Sequence, residues 1–96
     1  MEKKKDVLNL VSKKYSREML KSLADAPKRF KDLSAACGGE KMRAQRLKEF
    51  EEFGLVKVNV ERIGRRPVSV YELSDVGKST LRLAEDIKKL QKKSQS

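Results

Sequence analysis

The sequence contains no histidine, no tryptophan and a single cysteine, Cys37. Without histidine, neither the usual zinc site nor a histidine-based catalytic triad can form, and a lone cysteine closes no internal disulfide. A catalytic role for Cys37 would need an activating base, for which lysine and tyrosine are poor substitutes. The sequence also has no P-loop and no paired carboxylates in a plausible cleft. We therefore expect a protein that is not an enzyme and uses no metal and no cofactor, with Cys37 as a small buried residue.

Long apolar runs are absent as well. No window approaches the roughly 18 consecutive apolar residues of a membrane span, and no apolar stretch follows the basic start as in a signal peptide. We therefore expect a cytoplasmic protein with no membrane partner. What the chain does have is charge: 24 Lys and Arg against 14 Asp and Glu give a formal net charge of +10 over 96 residues. Such an excess on a single small domain points to a polyanionic partner.

The stretch of about 40–53 is predicted to be a helix with an unusual order of charges. After Glu40, its cations precede its other acids: Lys41, Arg43, Arg46 and Lys48, then Glu49, Glu51 and Glu52. A helix stabilised by its own dipole prefers the opposite order. We interpret the early cations as groups that serve a partner. Leu47 and Phe50 share one side and should anchor the helix to a core, and Gly54 should end it in a left-handed cap.

Shorter helices are predicted ahead of it, over about 6–13, 15–25 and 29–36. The second should end at Ala26-Pro27, because the residue before a proline avoids the helical region. The turn Gly38-Gly39 then leads into the helix at 40–53. Short helices joined through a glycine turn, the later one basic at its N-terminus, are the outline of a helix-turn-helix.

Beyond Gly54 the apolar period changes from 3.6 to 2, which indicates strands at about 55–61 and 68–73. The loop between them, 62–67, carries Arg62, Arg65 and Arg66 and no acid. A last helix, capped by Ser74, should run over about 75–91. The prediction is a single domain over residues 1–96, mainly α with a small β-hairpin: a winged helix-turn-helix in the order α-α-α-α-β-β-α.

Apolar stripes on the terminal helices predict a homodimer. In the last helix Val76, Thr80, Leu83, Ile87 and Leu90 keep the 4-3 spacing of a short coiled coil. We expect the helices at about 6–13 and 75–91 to be the dimerisation elements, through Val7, Leu8, Val11, Leu83, Ile87 and Leu90. The alternative is a final helix that docks only on its own domain.

Several short motifs lie along the chain in a specific order and spacing. They are Lys14-Tyr15; Arg29-Phe30 followed by Leu33; Met42 with Gln45-Arg46-Leu47; Glu51-Glu52 with Gly54-Leu55-Val56; and Tyr71-x-Leu73-Ser74-x-x-Gly77. In these the chain resembles the HxlR-type transcriptional regulators, relatives of the MarR class. It departs from them at Arg43, where the family has leucine, at Tyr15, where it has tryptophan, and in a shorter turn before residue 40. A neighbouring winged-helix family, such as an archaeal or viral one, is the alternative.

The resemblance implies a dimer that regulates transcription at double-stranded operator DNA. The recognition helix at about 40–53 would enter the major groove, and the Arg-rich wing at 62–67 would lie at the adjacent minor groove. Arginine pairs bidentately with guanine and also suits a narrow minor groove, whereas flanking cations contact phosphates. The expected DNA-binding residues are Lys28, Arg29, Lys41, Met42, Arg43, Gln45, Arg46, Lys48, Arg62, Arg65 and Arg66. Arg43 leans inward on the helical wheel, so its alternatives to a base contact are pairing with Glu40 or extending past the core.

Other functions fit the same composition. A winged-helix domain can serve protein or RNA contacts, because fold does not settle function. A small chromatin-type protein could coat DNA without sequence choice, and it would lack the specificity ratio of roughly 10³–10⁷ of a regulator. Selective binding of duplex DNA would separate these readings.

Overall fold

The computed structural model describes the backbone of residues 6–95 and the side chains of residues 6–92. The helices are α1 (Val7–Ser12), α2 (Ser16–Asp25), α3 (Glu40–Glu52) and α4 (Asp75–Gln95), and a short 3-10 helix spans Lys31–Leu33. The strands β1 (Lys28–Arg29), β2 (Val56–Ile63) and β3 (Arg66–Leu73) form one antiparallel sheet in the order β1-β3-β2. The predicted fold class, mainly α with a small hairpin, is confirmed.

The predicted third helix at 29–36 is wrong in detail. Lys28 pairs with Tyr71 and Arg29 with Val70, so the chain is extended where the helix was expected to begin. The Asp32 carboxylate then accepts a hydrogen bond from the backbone N–H of Arg29 at 3.3 Å. Strand pairing to a distant segment overrides the local helical pattern and leaves room only for the 3-10 helix before the glycine turn.

The wing is tighter than the predicted six-residue loop. β2 and β3 pair from Val56↔Leu73 as far as Ile63↔Arg66, so only Gly64 and Arg65 connect the strands. Gly64 has a φ of 65°, and Arg65 is not in the left-handed region. Glycine with positive φ at the first central position is the signature of a type II′ hairpin turn. Arg62 and Arg66 therefore lie on paired strands, and Arg65 lies at the tip.

The core lies under α3. Leu47 and Phe50 of this helix are almost fully buried, as predicted, and so is Leu55 just beyond it. They pack with Met19, Leu20 and Leu23 from α2 and with Leu33 and Cys37 from the helix-turn-helix. Cys37 is only 1% exposed, which confirms the expected small buried residue.

The C-terminus of α3 is closed by a glycine cap. Gly54 has a φ of 73°, the left-handed conformation predicted for it. Its N–H donates to the carbonyl of Glu51 at 3.0 Å, and the N–H of Leu55 donates to the carbonyl of Phe50 at 2.8 Å. Both bonds together are the Schellman motif. The chain thus leaves α3 at a fixed angle and enters β2 at once.

The start of α4 is bound to this cap. The Ser74 hydroxyl donates to the carbonyl of Gly54 at 2.6 Å and accepts from the N–H of Gly77 at 2.9 Å, which confirms Ser74 as the predicted cap. A Cβ on Gly77 would lie 2.0 Å from the carbonyl oxygen of Leu55. Only glycine permits this close approach of α4 to the end of α3.

The terminal helices pack on the domain with one side each. Leu81 and Ala84 of α4 and Leu10 and Val11 of α1 are buried in the core. Val11 is therefore not available on the surface as the predicted dimer stripe required, because α1 lays that side chain against its own domain. Leu8 is 61% exposed, and Leu83, Ile87 and Leu90 of the longer α4 are 62%, 45% and 64% exposed.

Candidate nucleic-acid interface

One side of α3 faces outward, away from the core. Lys41, Gln45 and Lys48 are exposed, and Met42 is 39% exposed. Together with Ala44, Glu49 and Glu52, three of them (Lys41, Gln45 and Lys48) line a shallow open groove along the helix. An extended polar face with two amines and one amide offers hydrogen-bond donors to base edges and phosphates.

Arg43 is buried, contrary to its predicted place on the DNA-binding surface. Only 4% of it is exposed. Its Nε donates to the carbonyl of Cys37 at 2.9 Å, Nη2 to that of Gly38 at 2.9 Å and Nη1 to that of Phe30 at 3.3 Å. The guanidinium carbon also lies 4.5 Å from the centre of the Phe30 ring. Three of its five N–H groups hold the turn before α3, and burial keeps the guanidinium away from a base.

Arg46 is likewise buried, with 4% of its surface exposed. Its Nη1 donates to Oε1 of Glu49 at 2.9 Å, and its Nη2 donates to the carbonyl of Lys14 at 3.2 Å and approaches Sδ of Met42 at 3.0 Å. Its buried Nε has no hydrogen-bond partner among the described residues. The predicted base contact by Arg46 is therefore wrong, and the side chain instead links α3 to its own domain. The elbow between α1 and α2, formed by Lys13, Lys14 and Tyr15, covers this side of α3.

Glu49 joins this link to a second cation. Its Oε2 lies 3.2 Å from Nζ of Lys13, which stands at the same elbow. Partial burial would raise the pKa of Glu49, but the hydrogen bonds from Arg46 and Lys13 outweigh it and hold the pKa below its usual value of 4.5. The carboxylate is therefore ionised at neutral pH and clamps α3 to the elbow. Tyr15, in that elbow, is the one described non-glycine residue with a positive φ, at 73°.

The two cations of β1, Lys28 and Arg29, each bind acceptors within the protein. The Lys28 amine donates to the carbonyls of Ser22 and Ala26 at 3.0 and 3.4 Å, near the C-terminus of α2. Nε of Arg29 lies 3.4 Å from the Asp32 carboxylate. Desolvation would raise the pKa of Asp32, but the hydrogen bonds and charge of Arg29 lower it overall. Both cations stay half-exposed, so they add positive potential beside α3.

The wing presents its arginines to solvent. Arg62, Arg65 and Arg66 are all exposed. The Arg62 guanidinium approaches the carbonyl of Arg65 at 3.5 Å, across the turn. Three guanidinium groups around a two-residue turn concentrate positive charge in a narrow projection.

A further groove separates the wing from the 3-10 helix, and sequence reasoning missed it. Its lining includes Lys31 and Ile63, which were not among the predicted site residues, beside Arg29, Phe30, Arg66, Val68 and Ser69. Lys31 lies more than thirty positions before Ile63 in the chain. Only the pairing of β1 with β3 brings these segments together, and no local pattern signals that contact.

The glycine turn before α3, the outward-facing α3 and the basic hairpin form a winged helix-turn-helix, a fold typical of DNA-binding transcriptional regulators. A model of the HxlR-like helix-turn-helix family matches residues 10–96, and the chain belongs to that family. No curated protein matches the chain. None of the helices in the described part of the chain combines the length and apolar composition needed to traverse a bilayer.

Several solved structures that are described as transcriptional regulators share this fold. The diamide-treated YodB of Bacillus subtilis superposes with a TM-score of 0.81 at 25% identity, over 88% of this chain and 85% of that one. The protein ytfH of Salmonella typhimurium, described as a transcriptional regulator, gives 0.73 at 28% identity over 88% and 76%. A MarR-family regulator of Enterococcus faecalis gives 0.76 over 94% and 87%, and at 23% identity it supports the fold alone.

Proposed function

We propose that this protein is a sequence-specific regulator of transcription that binds double-stranded DNA in the cytoplasm. The outward face of α3, with Lys41, Met42, Gln45 and Lys48, reads the major groove, and the wing arginines lie at the adjacent minor groove. The observation that carries the proposal is this exposed face, which no other element of the described structure covers. Arg43 and Arg46 support the reading face from within and do not contact bases.

The working unit in this proposal is a two-fold homodimer formed by α1 and α4. Leu8, Leu83 and Ile87 support it, because large aliphatic side chains at 61%, 62% and 45% exposure are costly to leave in water. Leu8 and Ile87 also face a common groove between the two helices. A two-fold axis there would set the recognition helices about one DNA turn, ~34–36 Å, apart and predicts a near-palindromic site.

In-vitro selection of bound duplexes from a random pool tests the proposal. We expect a near-palindromic consensus to emerge. Gln45→Ala should then relax the choice of one base by about 1–3 kcal/mol, because a glutamine amide pairs bidentately with adenine. The control is Arg65→Ala with Arg66→Ala, which should weaken all sequences evenly and lower the salt dependence.

The remaining outcomes identify the rival functions. Strong duplex binding with no consensus would favour a chromatin-type coat protein. Enrichment of single-stranded or structured RNA over duplex DNA, in a matched RNA pool, would favour an RNA-binding module. Loss of the consensus with the wing variant, and not with Gln45→Ala, would contradict the assignment of α3 as the reading helix.

A further inference from the structure

We propose that the groove between the 3-10 helix and the wing is a channel for one sugar–phosphate strand of the bound DNA. This rests on the proposed function and adds to it a contact surface outside both α3 and the wing tip. Its members are Arg29, Phe30, Lys31, Ile63, Arg66, Val68 and Ser69, called the strand groove below.

The register of the sheet creates the strand groove. β1 pairs only with Val70 and Tyr71, so the edge of β3 from Arg66 to Ser69 has no strand beside it on that side. The pairing of β1 ends at Arg29, and the chain continues into Phe30 and the 3-10 helix, whereas β2 and β3 stay paired as far as Ile63 and Arg66. An open strand edge also presents backbone donors and acceptors that no neighbouring strand satisfies.

The chemistry of the walls matches a sugar–phosphate chain. Phe30 and Val68 are half-buried and form the apolar floor of the groove, and Ile63 adds an aliphatic wall at 53% exposure. Lys31 and Arg66 are exposed on the walls, and Arg29 is half-exposed. Deoxyribose presents carbon-rich faces, and the phosphates carry the charge. A groove with an apolar floor and cations on its walls therefore complements the sugar–phosphate repeat.

The position of the strand groove fits a strand that crosses between the two DNA grooves. It lies between the hairpin, proposed for the minor groove, and the 3-10 helix that precedes the glycine turn into α3. Phe30 also contributes its carbonyl and its ring to Arg43, which holds that turn. The phosphates between the contacted major and minor grooves would therefore run past Lys31 and Arg66.

Lys31→Ala and its matched control Lys21→Ala test the proposal on the full chain. Both remove one exposed lysine and one unit of charge, but Lys21 lies on α2 and does not line the strand groove. Duplex affinity is measured by fluorescence anisotropy between 50 and 200 mM salt. Lys31→Ala should lower the slope of log K against log salt by about 0.9 per protomer. Lys21→Ala should leave the slope as in the unmodified protein.

Ile63→Ala tests the apolar part independently. Losing the contact with one sugar face should weaken duplex binding about fourfold, which equals roughly one buried methylene, without changing the salt slope. The side chain is exposed, so the thermal midpoint should stay the same. Arg66→Ala alone does not discriminate, because the proposed wing contact uses the same residue.

Each outcome decides the matter. If Lys31→Ala behaves like Lys21→Ala while Arg65→Ala with Arg66→Ala still weakens binding, the DNA-binding function stands and the strand groove does not hold DNA. If the unmodified protein binds no duplex, both proposals fall. The strand groove holds about 360 Å³, within the ~300–1,000 Å³ of small-molecule sites. A small molecule is therefore the rival occupant of the strand groove, and benzoate is the probe for it. The proposal is overturned if the methyl signal of Ile63 in the NMR spectrum shifts with benzoate and not with duplex DNA.

Discussion

Nη1 of Arg46 lies 2.9 Å from Oε1 of Glu49, one turn further along α3. The guanidinium side chain is 5% exposed and the carboxylate side chain 22%, so the pair is more strongly coupled than an ion pair in open solvent. Lys13 and the carbonyl of Lys14 complete the arrangement from the elbow between α1 and α2. Helix α3 is therefore bound to the short segment that connects α1 to α2.

Glu49→Gln should destabilise the protein at neutral pH. The nearly buried Arg46 would lose its ionic partner and keep only neutral acceptors, a loss of about 1–2 kcal/mol in the free energy of unfolding. The pKa of Glu49 is lowered in the folded protein, so its contribution is fully present above pH 4.5 and is lost as the pH falls through the folded-state pKa. Urea unfolding at several pH values should show the two proteins converging below pH 4.5.

Glu61→Gln is the control for this comparison. It makes the same chemical change at an exposed position on β2 and should shift stability by less than about 0.5 kcal/mol at pH 7. A gap between Glu49→Gln and the unmodified protein that stays constant down to pH 3 would show that ionisation of Glu49 is not the cause.

Arg43→Lys should destabilise the protein although it keeps the charge. A lysine amine cannot reproduce the planar fork that serves the carbonyls of Phe30, Cys37 and Gly38. Leaving one or two of these carbonyls without a donor should reduce the free energy of unfolding by about 1–3 kcal/mol. Thermal and urea unfolding measure the change, with the exposed Lys41→Ala on the same helix as control. Equal stability of both variants would mean that the turn does not depend on the guanidinium.

Gly77→Ala should be among the most damaging single-methyl changes. The added Cβ would lie 2.0 Å from the Leu55 carbonyl oxygen and 3.0 Å from a methyl group of Leu73. Backbone atoms cannot yield as a flexible side chain can, so α4 must shift, at about 3 kcal/mol or more. Lys78→Ala at the next, exposed position should change the thermal midpoint little. A Gly77→Ala protein as stable as Lys78→Ala would mean that α4 crosses Leu55 at a greater distance.

Leu83→Glu with Ile87→Glu should give a monomer in sedimentation velocity. Charged side chains in the centre of the proposed α4 contact would be buried without partners in the dimer and remain hydrated in the monomer. Lys78→Ala with Ser79→Glu changes the net charge equally on the same helix and should remain dimeric. If the Leu83 and Ile87 variant stays dimeric and still binds a palindrome, the interface lies elsewhere.

Periodicity predicted the elements that depend on local sequence. Leu47 and Phe50 fixed the inner side of α3, Gly54 its end and Ser74 the start of α4, because each acts on neighbouring residues. Periodicity shows which residues share a side of a helix, but it does not show which other part of the chain covers that side. Arg46 was assigned to solvent because its covering atom, the carbonyl of Lys14, lies 32 positions earlier.

The predictions for Arg43 and for the third helix were wrong for a related reason. The acceptors of Arg43 are backbone carbonyls, which every residue carries, so no residue type reveals them in advance. β1 forms only because Val70 and Tyr71 offer a free strand edge more than forty positions later. The acceptors of Arg43 lie 5 to 13 positions earlier and the partners of β1 more than forty positions later, and residue type signals neither contact.

The Ser74 hydroxyl, which bonds to both Gly54 and Gly77, links the end of α3 to the start of α4. In the proposed dimer, the crossing angle between the two α4 helices then sets the distance between the two reading faces. Substitutions near Ile87 would change which half-site spacing is preferred, while substitutions at Gln45 would change which bases are preferred. Natural variants could therefore alter one preference without disturbing the other.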